Sequence, residues 1–386
     1  MTDSEYRSAM ADAAWLAGCA VRQEVPDRQR LSGVKRKNLL AAAEKHKLVS
    51  AVGMALESAG IRDPDYVKAT AAVQRRIAIL DADRAAVLNR LEEAGIWYMP
   101  LKGAVLKDLY PRFGMREMAD NDILFDAERA GDVRRIMTGL GFSVEEYDEG
   151  NHDAYHKRPV SNFEMHRTLF SSDDPANLYP YYAGVKDRLV REEGKRYGYR
   201  FRDEDFYLYM TAHEYKHYTA GGTGLRSLLD AYVYLRSKQP DMAYIAEEAA
   251  KIGISGFERK NRELALHLFD GAELTQEEGE TLEYILYSGT YGTQQNRIAN
   301  QIAEKGRGGY FLSRLFPSRA YLSVLFPVLK KAPFLYPFCW AARMARGFLI
   351  RRKQMKTQLR AALGLPDKKN RKTAPDPGGT DRERKP

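Results

Sequence analysis

The chain has 386 residues, 44% of them hydrophobic, and a formal net charge of +9. That is enough apolar material for a folded protein of two or three domains and excludes an intrinsically disordered chain. Its two cysteines, Cys19 and Cys339, exclude a disulfide framework or a cysteine metal centre and fit a reducing compartment.

Residues 1–15 are polar and acidic, without the apolar run of a signal peptide, and no stretch is apolar for long enough to span a bilayer. The expected location is cytoplasmic. Residues 5–95 predict helices: AMADAAWLAGCAV, NLLAAAEKHKLVSAVGMALESAG and AAVQRRIAILDADRAAVLNRLEEAG space their apolar residues at helical intervals. Residues 96–101 predict a short strand, Gly103 a turn, and 104–111 a helix. A second strand is expected at 121–126 and a second helix at 127–140. Two more strands, 142–147 and 162–169, flank a polar loop. The order β-α-β-α-β-β indicates an α+β core, a small mixed sheet with helices.

From about residue 175 the pattern turns helical again. Residues 206–220 and 225–237 predict a helix pair joined by the turn at 221–224, and helices continue to about 303. The expected organisation is an N-terminal helical segment (1–95), the α+β core (96–172), a helical domain (173–303), a basic aromatic helical segment (304–366) and a disordered tail (367–386). The charge is uneven: residues 305–386 hold 20 Lys/Arg against 4 Asp/Glu, leaving −7 for the rest. A mildly acidic body argues against a protein wrapped along its length around nucleic acid.

The core carries the chemistry. Asp120 and Asp122 stand at i and i+2 on a strand, so both carboxylates project to one side. Glu164, on the 162–169 strand with His166 on its face, offers a third acidic group. Lys102 and the backbone N–H groups after Gly103 suit phosphate oxygens. Divalent metal plus a triphosphate is what such a set can hold. Taken singly, each feature is more often a solvated strand end or an Asx-turn than a catalytic group.

A rival motif lies at 213–217, His-Glu-Tyr-Lys-His, which matches the zinc-hydrolase pattern of two histidines one helical turn apart with an intervening glutamate. No third histidine follows, the next helix offers only Asp230, and Lys216 puts a cation beside the expected metal. His213 and His217 alternatively face a groove beside the core or are core histidines, with Arg226 and Asp230 forming an i, i+4 ion pair. The basic end interleaves aromatics such as Tyr310, Phe316, Phe334 and Trp340 with Arg314, Lys330, Lys331 and Arg343. It reads as amphipathic helices with a charged outer face, as a peripheral membrane contact, or as a nucleic-acid surface.

The stretch LKGAVLKDLYPRFGMREMADNDILF resembles the bacterial uncharacterised nucleotidyltransferase family, within the DNA polymerase β-type nucleotidyltransferase superfamily. The shared pattern is a Leu-Lys-Gly turn, a Tyr-Pro, an arginine before the acid pair, and the Asp-x-Asp strand. His213, His217 and LRSLLDAYVYL resemble the family's helical region, and residues 316–317 and 340–343 its C-terminal part. The resemblance implies a polymerase β-type core flanked by N- and C-terminal helical segments. It implies Mg²⁺ (or Mn²⁺) on Asp120, Asp122 and Glu164, an NTP substrate beside Lys102 and Gly103, and Arg116 neutralising charge on the phosphates. The chain departs from the superfamily in having Lys-Gly-Ala for Gly-Ser, a longer gap from Gly103 to Asp120 that the closer family shares, and Asn121 where an apolar residue is usual. The expected activity is transfer of a nucleoside monophosphate to an unidentified hydroxyl acceptor. The alternatives are a nucleotide-binding or toxin–antitoxin-like module without turnover and, third, a zinc hydrolase.

Overall fold

The computed structural model describes residues 2–289 and 328–350, together with positions 306, 309, 316, 322 and 326. Much of the basic aromatic segment and the whole 367–386 tail therefore lie outside the described residues. The chain divides into two compact units, 1–292 and 293–386. In the second, the described α-helices are Val328–Lys331 and Tyr336–Ile350; Phe338 of the latter and Phe334, in the turn between them, are exposed. No helix among the described residues is long and apolar enough to cross a membrane.

The first unit opens with five helices: α1 (Asp3–Arg22), α2 (Arg28–Ser32), α3 (Arg36–His46), α4 (Val49–Ser58) and α5 (Pro64–Glu93). Residues 38–60, expected as one helix, form two. Lys47 takes a left-handed conformation, φ 58°, and ends α3. The Glu117 carboxylate, from the core, accepts the Val49 N–H at 2.8 Å and satisfies a free donor of α4. Neither glycine nor proline marks this break.

The core contributes β1 (Tyr98–Pro100), α6 (Gly103–Leu106), β2 (Asn121–Phe125), α7 (Ala130–Gly139), β3 (Ser143–Glu146), β4 (His152–Lys157) and β5 (Ser161–His166). Their order in the sheet is β1-β2-β5-β4-β3, with β2 and β5 parallel and the other neighbours antiparallel. Strand β4 fills the stretch expected as a polar loop. One of its inward positions is Asp153, fully buried and paired with Arg167 at 2.9 Å, so the apolar alternation of a strand is absent from its sequence.

The sheet's two faces differ. Tyr98, Ile123, Phe125, Tyr155, Phe163 and Met165 pack with Val87 and Leu91 of α5 and Val133 and Met137 of α7. Each large apolar side chain buried there contributes roughly 1.5–3 kcal/mol relative to exposure. A one-residue slip of β2 would exchange that set for its carboxylates, so the apolar back fixes which way Asp122 points. Asn121, on the back face, is fully buried yet satisfied: it donates to the Leu80 carbonyl at 3.0 Å and accepts from Arg84 at 3.0 Å. The polar residue expected to weaken this face is instead bonded to α5.

The chain then forms α8 (Leu178–Tyr182), a ribbon of β6 (Val190–Arg191) and β7 (Tyr199–Arg200), and helices α9 (Asp203–Ala220), α10 (Leu225–Lys238), α11 (Met242–Ile252), α12 (Ser255–Asp270) and α13 (Gln276–Ser288). Helices α9 and α11 share an apolar cluster with Met99, Leu101 and Leu124 on the sheet's front. A second cluster joins α1, α3 and α4 to α10, α12 and α13 through residues such as Leu16, Val52, Leu228, Leu264 and Ile285. The N-terminal helices and the later helices thus have one core in common.

Candidate active site

The cross-strand register builds the site. In the parallel pair, Asp122 of β2 stands opposite Glu164 of β5, and in the antiparallel pair His166 of β5 stands opposite His152 of β4. Alternation along β5 puts Glu164 and His166 on one face, so four polar side chains from three strands share it. His166 Nε2 lies 3.0 Å from Asp122 Oδ1 and 3.4 Å from Glu164 Oε2. The ligand atoms of Asp122, Glu164 and His166 all fall within 4.8 Å of one another. That donor set, two carboxylates and an imidazole, fits a divalent cation.

The turn before β2 supplies the counter-charge. Lys102 holds φ 44°, an unusual conformation for a residue with a side chain, which carries strain on the order of 1–3 kcal/mol. The bond from the Leu101 N–H to the Asp122 carbonyl, 2.9 Å, ties the turn to β2. Lys102 Nζ meets Asp122 Oδ1 at 2.6 Å. Burial opposes charge on both, but their mutual attraction outweighs it: Lys102 is raised above the ordinary lysine range, and Asp122, helped by His166, is held well below the carboxylate range. Asp120, two residues back, moves the other way. Burial and the Asp122 charge, with Glu164 adding to them, push it up to about 6 against the pull of Lys102.

Gly103 and Arg116 take places the sequence did not assign. The N–H groups of Ala104, Val105 and Leu106, expected to cradle phosphate, are bonded to the carbonyls of Leu101 and Lys102. A Cβ on Gly103 would lie 2.6 Å from Arg116 Nη1, so the glycine admits the guanidinium. Arg116 donates to Asp230 from Nε at 2.7 Å and Nη2 at 2.9 Å, and Tyr110 donates to the same carboxylate at 2.7 Å. Arginine and aspartate are both buried. The Arg226–Asp230 pair expected from helical spacing is therefore not formed; Arg226 Nη1 reaches the Glu117 carbonyl at 3.5 Å. Arg116 anchors the 110–118 loop to α10, with Nη1 beside the turn.

Helix α9 runs past this face. Tyr209, His213 and His217 form a stripe at i, i+4 and i+8, with Tyr209 and His213 ring centroids 6.2 Å apart. The two histidines' Nε2 atoms are 3.2 Å apart. His217 reaches solvent, and His213 is half-buried behind it. Burial, then the Lys102 charge, lowers His217 to about 4 and lowers His213 as well. Glu214 points elsewhere. It is buried against α12, accepting from Asn261 at 2.9 Å, while its Oε1 finds no partner. Burial pushes it up to about 8, so it is mostly protonated at neutral pH. Lys216 pairs with Asp174 at 3.0 Å. Among the described residues no third ligand joins His213 and His217. The zinc-hydrolase reading fails on both counts, because the glutamate and the histidines occupy different sides of one helix.

His152 and Tyr209 belong to the site's surroundings and were not among the expected residues. His152 was hidden with the rest of β4; its ring lies 5.2 Å from that of His166. Tyr209 was within reach of helical spacing, one turn before His213.

No curated protein and no solved structure matches the chain. A family model described as uncharacterised nucleotidyltransferase matches residues 32–270. The match begins within the N-terminal helices and stops short of residues 316–317 and 340–343, which the resemblance had included. It spans the turn, the Asp-x-Asp strand, β5 and α9, and the chain belongs to the uncharacterised nucleotidyltransferase family.

Proposed function

We propose that the protein transfers a nucleoside monophosphate from an NTP to a hydroxyl acceptor, releasing pyrophosphate, with Mg²⁺ or Mn²⁺ held by Asp120, Asp122 and Glu164. The observation that carries this reading is the Asp122–Glu164 register with Lys102 closing on Asp122 from the turn. Two carboxylates on adjacent parallel strands and a cation between strand and turn make a compact seat for charged phosphates.

In the transfer, the acceptor oxygen bonds to the α-phosphorus as the bond to the β-phosphate bridge breaks; pyrophosphate leaves, and the acceptor's proton passes to solvent. A cation held by Asp120, Asp122 and Glu164 would neutralise phosphate charge and make the acceptor hydroxyl more acidic. Lys102 and His166 keep Asp122 ionised, ready to bind a cation at neutral pH. Asp120, at about 6, is largely ionised at pH 7 and adds a second negative group beside it. Lys102 adds positive charge beside the triphosphate. His213 and His217, both neutral at that pH, line the α9 side of the site.

The second reading is a nucleotide-binding module without turnover; in both readings Lys102 carries the phosphates, because the first N–H groups of α6 are already bonded. A single assay separates the two. With NTP, divalent cation and cell extract as acceptor source, the transferase reading expects pyrophosphate release that Asp122→Asn removes. Saturable nucleotide binding with no release under any of the four NTPs contradicts it.

A further inference from the structure

We propose that His166 Nε2 is a direct ligand of the metal site, which makes it a mixed nitrogen–oxygen site selective for a first-row transition dication over Mg²⁺. The inference rests on the metal-dependent reading above and specifies which ion that site takes.

Geometry carries the first part. Ligand atoms about 2.1 Å from one ion lie about 3.0 Å apart at right angles and about 3.4 Å apart at the tetrahedral angle. The His166 Nε2 distances to Asp122 Oδ1 and Glu164 Oε2 are 3.0 and 3.4 Å. The 3.0 Å contact is also a good hydrogen bond, but a nitrogen serving only to orient Asp122 has no need to face Glu164 as well. Backbone placement makes the approach durable. Glu164 and His166 are i and i+2 on one strand, Asp122 is their neighbour across the ladder, and the sheet's apolar back holds all three in register.

Burial carries the second part. His166 is 4% exposed, and its Nδ1 is buried without a hydrogen-bond partner. An imidazole with one orphaned nitrogen loses about 1–3 kcal/mol relative to a satisfied one. Coordination at Nε2 puts the ring proton on Nδ1, so the metal bond has to outweigh that buried N–H without an acceptor.

Chemistry carries the third part. Mg²⁺ favours all-oxygen octahedra and gains little from imidazole, whereas Mn²⁺, Fe²⁺, Co²⁺ and Zn²⁺ accept nitrogen readily. A bound cation takes over the Asp122 oxygen that Lys102 Nζ meets at 2.6 Å, so Lys102 has to shift from it toward the phosphates.

Mn²⁺ is the probe. The full-length protein is titrated with Mn²⁺, and free ion is read by electron paramagnetic resonance with and without competing Mg²⁺. Pulsed spectra of the bound ion then report ¹⁴N coupling. We expect Mn²⁺ to bind at least about tenfold more tightly than Mg²⁺, with imidazole ¹⁴N coupling. His166→Asn should remove the coupling and bring the two affinities together, while the double variant His213→Asn/His217→Asn retains both features. Bound Mn²⁺ without ¹⁴N coupling in the unaltered protein overturns the inference, and so does coupling that survives in His166→Asn. Because the unaltered protein alone gives a decisive spectrum, a variant that misfolds leaves the test intact. Pyrophosphate release is scored separately. Transfer with an all-oxygen site sinks this inference alone, and a nitrogen-ligated site without transfer sinks the transferase reading alone.

Discussion

The Asp-x-Asp strand and the His-Glu-x-x-His helix each match a metal motif on paper, and their members end up in opposite situations. Asp122 lies on β2 with Asp120 just before the strand begins, and the parallel neighbour sets Glu164 beside Asp122. On α9, the histidines at i and i+4 share one side, but Glu214 at i+1 turns into the helical core and pairs with Asn261. A motif becomes a site when all its members face one volume and other elements close that volume. On the strand side, Asp122, Glu164 and His166 cluster with Lys102, an arrangement to which β5 and the turn both contribute.

The largest expected effect falls on the strand. Asp122→Asn should lower transfer by about 10³-fold or more, the upper end of what losing one electrostatic contact costs, measured as pyrophosphate release. Next is the anchor behind the turn. Arg116→Ala strands Asp230 in the interior and should cost about 3–5 kcal/mol of stability, read by denaturant unfolding. A loss of activity with unchanged stability would instead give Arg116 a direct role at the phosphates. Gly103→Ala should cost about 1–3 kcal/mol, since its Cβ would press on Arg116 Nη1. An undamaged Gly103→Ala protein would show that the guanidinium can move aside.

The smallest effect on turnover belongs to the helix motif. Glu214→Gln should leave transfer unchanged and alter stability in a pH-dependent way. The folded-state value of about 8 lies above the ordinary 4.5, so stability is fully retained below about pH 4.5 and falls as pH rises toward 8. Glutamine removes that decline, so the rise in unfolding midpoint should be larger at pH 8 than at pH 6. A zinc-dependent hydrolysis that Glu214→Gln removes would restore the hydrolase reading.

The turn, the acid pair and Glu164 were legible because their signals are local: a period of two, a glycine, a short apolar run. The family resemblance drew on the same stretch. Three other features were illegible because distant residues decide them. The α3–α4 break depends on Glu117, 68 residues on. Strand β4 conceals its inward face behind Asp153, which becomes tolerable only with Arg167. The partner of Asp230 is Arg116, 114 positions away, and not the helical neighbour Arg226. Asn121 looked like a defect until Leu80 and Arg84 of α5 were found bonded to it.

The most direct test of the central claim is a paired labelling experiment. The protein is incubated in cell extract with a divalent cation and, in parallel, NTP labelled at the α- or at the γ-phosphate. Transfer of the α-label to an acceptor, absence of γ-label transfer, and loss of the signal in Asp122→Asn are the expected results. Transfer of the γ-label, or no transfer from any of the four nucleotides, would contradict a nucleotidyltransferase site built on Asp120, Asp122 and Glu164.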